Sequence, residues 1–425
     1  MRLRLENIGK IKEATIDMQG ITVIAGENNT GKSTVGKALF AIFNSFYEIQ
    51  NQIYKERLQS IENVMQLIYR NLFFIDGEKM RSIDECSEEI LLNKATYIES
   101  PSKLKKYIIE MLDLDVVSTK NMIERINLDD LVERVVDILR ISDQEIFNSV
   151  VNKKMNAEFG DQLLNVFSER EGNISLTVQK EILKVRVLED SVMTERKDYS
   201  LHTEAIYIDD PFVLDDIDFR LRRKKEIGYT DHRAQLIDKL LRKNENTSVV
   251  DEIVVENRFK DIYQKLNRVC DGKMVRQRNG RMGYRTKNMD KSLNVKNLST
   301  GLKTFVILKT LLMNGAIENN GTIILDEPEI HLHPEWQLMF AELIVLLSKE
   351  FDVNILLNTH SPYFLRAVQV YSAKYEVADT CKYYLSEFVE EGKATVIDVT
   401  DNVDKIFVKL AQPLQMLEDE RWNID

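Results

Sequence analysis

The chain has 425 residues, of which 44% are hydrophobic and 30% charged, with a formal net charge of −11 at pH 7. This length holds one large domain or several ordinary ones, and the acidic balance excludes a generally basic nucleic-acid binder but not a local basic patch. Because no apolar run approaches the roughly 20 residues of a membrane span and no signal-peptide core is present, we expect a cytoplasmic globular protein without a membrane partner.

The first predicted elements are three short strands: Arg2–Asn7, Glu13–Met18 and Ile21–Ala25. The third strand leads directly into residues 26–33, Gly-Glu-Asn-Asn-Thr-Gly-Lys-Ser, which fit G-x-x-x-x-G-K-[ST], the pattern of a phosphate-binding loop. Residues 34–43 then place apolar side chains at helical spacing. A strand, a glycine loop and a helix form the context that this motif requires.

Each residue type in this loop has a chemical reason. Gly26 and Gly31 allow the backbone to turn its N–H groups inward, where a Cβ would obstruct the turn. Those groups and the helix N-terminus form a cradle for anionic phosphates. We expect Lys32 to reach the β- and γ-phosphates and Ser33 to bind Mg²⁺. The residues predicted to bind the nucleotide here are Gly26, Glu27, Asn28, Asn29, Thr30, Gly31, Lys32, Ser33 and Thr34.

The middle of the chain changes pattern twice. Residues 46–165 place apolar side chains at helical spacing, without the sustained heptads of a long coiled coil. We interpret them as a compact helical insertion that packs on the core domain, with a partner-binding surface as the alternative. Residues 166–200 alternate as strands do. A continuous apolar strand, Ala205–Ile208, follows and ends at Asp209 and Asp210, which we interpret as turn residues rather than site residues.

Two basic clusters come next. Residues 219–225, which include Arg220–Lys225, carry five positive charges in seven residues. Lys273–Lys291 carries seven Lys and Arg against one acid, Asp290. Either cluster suits contact with a nucleic-acid backbone, although runs of charge are usually solvated faces. Nucleic acid therefore stays an alternative partner.

The last third of the chain holds the remaining candidates for chemistry. An apolar strand, residues 321–325, ends in Asp326 and Glu327. Asp326 suits a ligand of Mg²⁺, and Glu327 suits a general base for an attacking water. A second apolar strand ends at His360, where ligands of open α/β sheets bind. His331 and His333 lack further ligands nearby, and we do not expect them to bind a metal.

Four segments together resemble the RecF/OLD branch of the ABC-type ATPases, to which the SMC proteins are related. Leu298–Lys303 looks like a variant ABC signature, and residues 326–334, Asp-Glu-Pro-Glu-Ile-His-Leu-His-Pro, are very similar to the Walker B and D-loop segment. Residues 358–362 resemble the switch-histidine segment, and residues 5–11 the N-terminal strand pair. The resemblance implies an α/β fold, a P-loop ABC-type ATPase head whose mixed central sheet is flanked by helices and joined by a small β layer.

The same resemblance implies a division into domains. The head would combine residues 1–45 with 200–425, the helical insertion would span 46–165, and a β-rich connection would span 166–200. The Q-loop glutamine of the family has three candidates, Gln52, Gln59 and Gln66.

The resemblance also implies a mechanism. Two heads would pair head to tail, as a homodimer or a higher homo-oligomer, and would enclose ATP with Mg²⁺. Ser299 and Gly301, at the start of a helix, would meet the γ-phosphate bound to the partner. Glu327 would activate water, His360 would contact the γ-phosphate, and Lys32 would complete the predicted catalytic set.

We expect no Toprim nuclease domain, since the residues after His360 show no acidic cluster of nuclease type. The chain resembles the stand-alone ATPase components of the Septu and PARIS anti-phage systems. That implies an ATP-hydrolysing sensor or switch that controls a separate effector, a nuclease or a toxin. The alternatives are a RecF-like DNA-repair ATPase and an ATP-dependent scaffold with negligible turnover.

Overall fold

The computed structural model of the chain describes residues 1–72, 83–111, 127–168, 171–189, 191–194, 199–222, 231–242, 259–286 and 288–422. The chain divides into two compact units. The larger unit comprises Met1–Tyr47 and Val151–Asp425, and the smaller comprises Glu48–Val150. Among the described residues, no helix has the length and apolar character needed to cross a bilayer.

The strands are β1 (Arg2–Ile8), β2 (Ile11–Asp17), β3 (Ile21–Gly26), β4 (Gly172–Val178), β5 (Glu181–Leu188), β6 (Ser191–Thr194), β7 (Ala205–Ile208), β8 (Lys273–Arg276), β9 (Met282–Arg285), β10 (Leu293–Asn294), β11 (Thr322–Asp326), β12 (Asn354–Thr359), β13 (Lys382–Glu390) and β14 (Lys393–Asp398). Eleven of them form one mixed sheet in the order β6-β5-β4-β1-β2-β14-β13-β3-β12-β11-β7, and β10-β9-β8 form a separate sheet. The predicted α/β architecture with a mixed central sheet is confirmed.

One end of the large sheet is parallel. Strands β13, β3, β12, β11 and β7 all run in the same direction. Strands β3, β7 and β11 are buried along their whole length, as expected of parallel strands covered on both faces. The carboxyl ends of β3, β11 and β12 therefore meet at one edge of the sheet. In contrast, β1, β2, β4 and β5 alternate between buried and solvent-facing residues and pair antiparallel.

The helices are α1 (Lys32–Phe46), α2 (Ile49–Leu72), α3 (Ile83–Leu92), α4 (Lys94–Glu99), α5 (Pro101–Met111), α6 (Leu128–Arg140), α7 (Asp143–Phe159), α8 (Ile217–Arg222), α9 (His232–Leu241), α10 (Lys260–Val269), α11 (Thr300–Met313), α12 (Pro334–Phe351), α13 (Pro362–Lys374) and α14 (Asp404–Trp422). Helix α1 contacts β7, β11 and β12 and is buried on most of its surface. The core of the larger unit joins the sheet to α11, α12 and α13.

The described residues of the smaller unit are helical throughout, as predicted, apart from short turns. Its core consists of apolar side chains from α2, α3, α4, α5 and α6. Helix α6 has one buried face, which consists of Leu131, Val132, Val135, Val136 and Leu139. Three of the positions between them are charged, Glu133, Arg134 and Asp137. Helices α3, α4 and α5 are separated at Asn93 and at Ser100.

Candidate nucleotide-binding site

The loop between β3 and α1 has the conformation that its glycines permit. Gly31 has φ +88°, in the left-handed region that favours glycine. A Cβ on Gly26 would lie 2.2 Å from the backbone oxygen of Ser386, so no larger residue fits there. The Ser386 hydroxyl donates to the Thr30 carbonyl at 2.8 Å, and the Thr30 hydroxyl donates to the Glu27 carbonyl at 2.8 Å. Strand β13 therefore helps to fix the loop.

Other predicted loop residues differ in exposure. Thr30 and Lys32 are buried, Thr34 is partly buried, and Glu27, Asn28, Asn29 and Ser33 are exposed. Lys10, in the turn between β1 and β2, donates a hydrogen bond to the Asn29 side chain. The exposed residues of the loop are accessible to a ligand.

The three residues predicted to be catalytic lie together. Lys32 Nζ donates to the carbonyls of Gly26 at 3.1 Å and Glu27 at 2.8 Å, and lies 3.6 Å from Glu327 Oε1. His360 Nδ1 lies 3.3 Å from the same Glu327 oxygen. Glu327 thus stands between an ammonium group and an imidazole at the carboxyl edge of the parallel strands.

Asp326 is held at both of its carboxylate oxygens. Tyr207 donates its hydroxyl to Oδ2 at 2.9 Å, and the Asn358 amide donates to Oδ1 at 3.0 Å. The same Asn358 amide nitrogen donates to the Lys32 carbonyl at 3.1 Å, which links β12, β11 and α1. Asn358 is paired with Asp326 in the register of the two parallel strands.

The residues near Asp326 fit Mg²⁺. Each Asp326 oxygen accepts one hydrogen bond and keeps a further lone pair. Among the described residues, no group of three or more His, Cys, Asp and Glu side chains could hold a metal by itself. Mg²⁺ is usually bound by one or two protein groups together with substrate phosphates, so a single carboxylate and a hydroxyl suffice as protein ligands. Asp326 and the exposed Ser33 are the residues that would hold it.

Glu329 supports the segment that carries His360. It is buried, accepts a hydrogen bond from the Thr359 hydroxyl, and accepts the His360 backbone N–H at 3.3 Å. Burial raises the pKa of its carboxyl group above the ordinary value. The Glu329 side chain thereby fixes the backbone from which His360 extends.

Sequence reasoning did not identify Tyr207, Asn358, Glu329 or Ser386. Asn358 carried a usable signal, because a polar residue inside an apolar strand next to the predicted Asp326 strand requires a buried partner. Tyr207 and Ser386 carried none, since their roles depend on which strands become neighbours.

Ser299 and Gly301 lie at the start of α11, which packs on α9, α10, β8 and a 3₁₀ turn, Pro211–Asp215. Ser299 is exposed and its side chain makes no capping hydrogen bond. A Cβ on Gly301 would lie 3.0 Å from the His331 carbonyl and 3.2 Å from the Trp336 ring, so close packing against these two residues accounts for this glycine. Ser299 is therefore accessible at the helix start, whereas Gly301 is buried.

Two other sequence predictions have a structural outcome. Asp210 accepts the Phe212 backbone N–H and caps the 3₁₀ turn, whereas Asp209 pairs with the buried His232 and with the exposed Arg233. The basic cluster Arg220–Lys225 lies largely outside the described residues. The cluster Lys273–Lys291, whose described part omits residue 287, forms the small sheet of β8 and β9.

The family described as "AAA ATPase domain" matches residues 1–365. A retron Vc95 probable ATPase from Vibrio cholerae is 32% identical over 87 residues, which cover 18% of this chain and 16% of that protein. An OLD nuclease from Thermus scotoductus is 28% identical over 89 residues, 21% of this chain and 17% of that protein. The chain thus spans less than a fifth of the length of these two relatives.

Solved structures of SMC heads are also similar. One is an SMC head bound to the C-winged helix domain of ScpA. The match spans 93% of this chain and 97% of the chain in that structure, at 12% sequence identity and a TM-score of 0.43. The match to the SMC head domain from Thermotoga maritima spans 94% of this chain and 98% of that chain, at 12% sequence identity and a TM-score of 0.37. The family match spans most of the chain and contains the phosphate-binding loop, Asp326 and His360. This chain belongs to the AAA ATPase domain family.

Proposed function

We propose that this chain binds ATP with Mg²⁺ and hydrolyses it to ADP and phosphate. The observation that carries this proposal is the convergence of Lys32, Glu327 and His360. The Glu327 carboxylate lies 3.6 Å from the Lys32 ammonium group and 3.3 Å from the His360 imidazole. These side chains come from three elements that are far apart in sequence, and they meet at the loop that suits a triphosphate.

Each residue has a role in this proposal. The loop N–H groups and Lys32 hold the phosphates, and Glu327 orients the attacking water and accepts its proton. His360 donates a hydrogen bond to the γ-phosphate, and the hydrogen bond from its backbone N–H to Glu329 holds it in place. Mg²⁺, bound through Asp326 and Ser33, would neutralise charge on the β- and γ-phosphates.

Glu327→Gln tests the hydrolytic step. The amide keeps the shape of the side chain but cannot accept a proton, so we expect at least about a hundredfold loss of steady-state turnover with ATP affinity retained. Lys32→Ala is the contrasting variant and should weaken ATP binding itself. If wild-type protein binds ATP but turns over no faster than Glu327→Gln, the chain is an ATP-dependent scaffold instead.

We also propose the biological role of a sensor or switch in anti-phage defence that controls a separate nuclease or toxin. The support is the resemblance to ATPase components of such systems and the similarity of one segment to a protein named as a retron ATPase. Expression of the chain alone and with its neighbouring gene, in cells challenged with phage, tests this role. Protection that persists in the Lys32→Ala variant would contradict it.

One observation favours a second candidate, a DNA-binding repair ATPase. Lys273, Arg276, Arg278, Arg281 and Arg285 are all exposed on the small sheet and its turn, and none forms an ion pair within the described ranges. Unpaired cations on one hairpin suit a phosphate backbone.

Reversing Arg278 and Arg281 to Glu tests this candidate. DNA affinity of the wild type should fall steeply with salt concentration, and the double variant should bind at least about tenfold more weakly. The matched control reverses Lys106, an exposed lysine that pairs with Glu110 on α5. Equal DNA affinity of the wild type and the hairpin variant would exclude this surface.

A further inference from the structure

Tyr207 is a buried side chain that donates its hydroxyl to the carboxylate proposed to bind Mg²⁺. It lies on β7, next to β11, and faces Ile324 in the parallel register. Its hydroxyl hydrogen bond to Asp326 Oδ2 is 2.9 Å long, and 1% of the residue is exposed. Hydrogen bonds from a neutral donor to a carboxylate are among the stronger ones, particularly away from water.

The Tyr207 ring is clamped on two sides. Helix α1 has Gly36 at the point of contact, where a Cβ would lie 3.1 Å from the Tyr207 hydroxyl oxygen. On the other side the His232 ring stacks on it, with centroids 4.3 Å apart and an angle of 26° between the planes. The space left by Gly36 and the His232 ring together select one orientation of the tyrosine.

His232 is itself fixed by two carboxylates. Its Nδ1 lies 2.7 Å from Glu158 Oε1, and its backbone N–H donates to Glu158 Oε2 at 3.0 Å. Its Nε2 lies 3.1 Å from Asp209 Oδ2, an ion pair without hydrogen-bond alignment. Burial opposes protonation, but the two carboxylates outweigh it and raise the pKa of His232 to about 9. The ring stacked on Tyr207 is therefore a cation at neutral pH.

We propose that Tyr207 is a positioning residue, which fixes the Asp326 carboxylate for Mg²⁺ and is itself held in place by the ion-paired His232 ring. The inference rests on the proposed binding of ATP with Mg²⁺. Since Asn358 holds the other Asp326 oxygen, the two donors together determine the plane of the carboxylate and the direction of its free lone pairs. Groups that orient a metal ligand typically change metal affinity by 10- to 100-fold when they are removed.

Tyr207→Phe is the decisive variant, because it keeps the stacked ring and removes only the hydroxyl. With Mn²⁺ as a spectroscopic substitute and a non-hydrolysable ATP analogue, we expect the ion to bind about tenfold more weakly than in the wild type. Affinity for the analogue in EDTA should not change, and the loss should be overcome by raising the ion concentration. A merely structural tyrosine would not produce a defect that the ion rescues.

Tyr384→Phe is the matched control. Tyr384 is equally buried in the same sheet, and its hydroxyl makes hydrogen bonds with the Asp17 backbone, remote from Asp326 in the strand order. Wild-type Mn²⁺ affinity is expected for this variant. His232→Gln loses the stacked cation and should lower the affinity for Mn²⁺, as Tyr207→Phe does.

The outcomes separate this inference from the proposed function. If the wild type binds the ion with the analogue and Tyr207→Phe binds it equally well, the positioning role is wrong and the proposed function stands. If the wild type binds neither the analogue nor the ion, the proposed function itself fails. If Tyr207→Phe loses its fold, by circular dichroism, the His232→Gln variant decides, and unchanged Mn²⁺ affinity there overturns the proposal.

Discussion

His232 is a buried side chain whose positive charge is compensated by two carboxylates. His232 lies between Glu158 and Asp209, and Arg233 forms two hydrogen bonds to Asp209 at 2.9 Å and 2.6 Å. Burial would raise the pKa of Asp209, but its ion pair with His232 and its hydrogen bonds with Arg233 outweigh that effect and lower the pKa to about 2. Removing one member would leave a buried charge without its partner, which is costly.

The pH dependence of unfolding tests this cluster. Because the pKa of His232 is raised in the folded state from 6.5 to about 9, its contribution is complete below pH 6.5 and is lost as the pH rises through 9. The lowered pKa of Asp209 acts only in acid, where its contribution is lost as the pH falls through about 2.

We expect the wild type to lose roughly 3 kcal/mol more stability than His232→Gln between pH 6 and pH 9.5, from the size of the His232 shift. Urea unfolding at both pH values, followed by circular dichroism, measures the difference. Parallel losses in the two proteins would show that His232 does not hold its proton in the folded state.

At the scale of elements, the end of α6 shows how a side chain from a distant segment supplies hydrogen bonds to backbone carbonyl groups. Helix α6 ends at Arg140, and its last carbonyl groups have no partner within the helix. The buried Arg57 guanidinium on α2 donates to the carbonyls of Ile138, Leu139 and Ile141, and to Asp143 at 2.6 Å. One side chain thereby closes α6, orients the turn after it and joins α2 to both.

Arg57→Ala should destabilise the smaller unit by about 2–4 kcal/mol, since it leaves buried carbonyl groups without donors. Arg140→Ala, at the end of α6 itself, is the control. It removes an exposed ion pair with Asp137 and should cost less than about 0.5 kcal/mol. Hydrogen exchange in α6 and thermal unfolding compare the two variants. Equal destabilisation by Arg57→Ala and Arg140→Ala would contradict the proposed role of Arg57.

At the scale of the whole molecule, the phosphate-binding loop and the signature residues belong to different elements. Lys32 lies at the start of α1, which packs on the parallel strands, whereas Ser299 lies at the exposed start of α11. A helix N-terminus with an exposed serine suits an anion, and a second copy of the chain would supply that anion on its own loop. We infer that the complete site needs two chains.

Mixing two inactive variants tests this. Lys32→Ala lacks the loop lysine and Ser299→Glu carries a like charge toward the γ-phosphate, so each alone should show no turnover. In a mixed dimer, one site carries both defects and the other carries neither, and equimolar mixing should restore about a quarter of the wild-type rate if subunits exchange freely. No recovery, although both variants dimerise, would contradict pairing in trans.

Local sequence by itself determined the phosphate-binding loop, the buried parallel strands and the acidic and histidine residues at their ends. These features depend on short-range chemistry, such as the freedom of glycine at Gly31 or the apolar run before Asp326. The order of strands was not readable, so the continuity of β1 and β2 with the parallel strands through β14 emerged only from the fold.

Tertiary structure alone decided which side chains support the site. Tyr207 reaches Asp326 because β7 pairs with β11, and Asn358 reaches both Asp326 and the Lys32 carbonyl because β12 lies between β11 and β3. Such contacts join residues 119 or 326 positions apart in the chain. No local pattern encodes them, since they arise from strand neighbours chosen by the packing of the whole core.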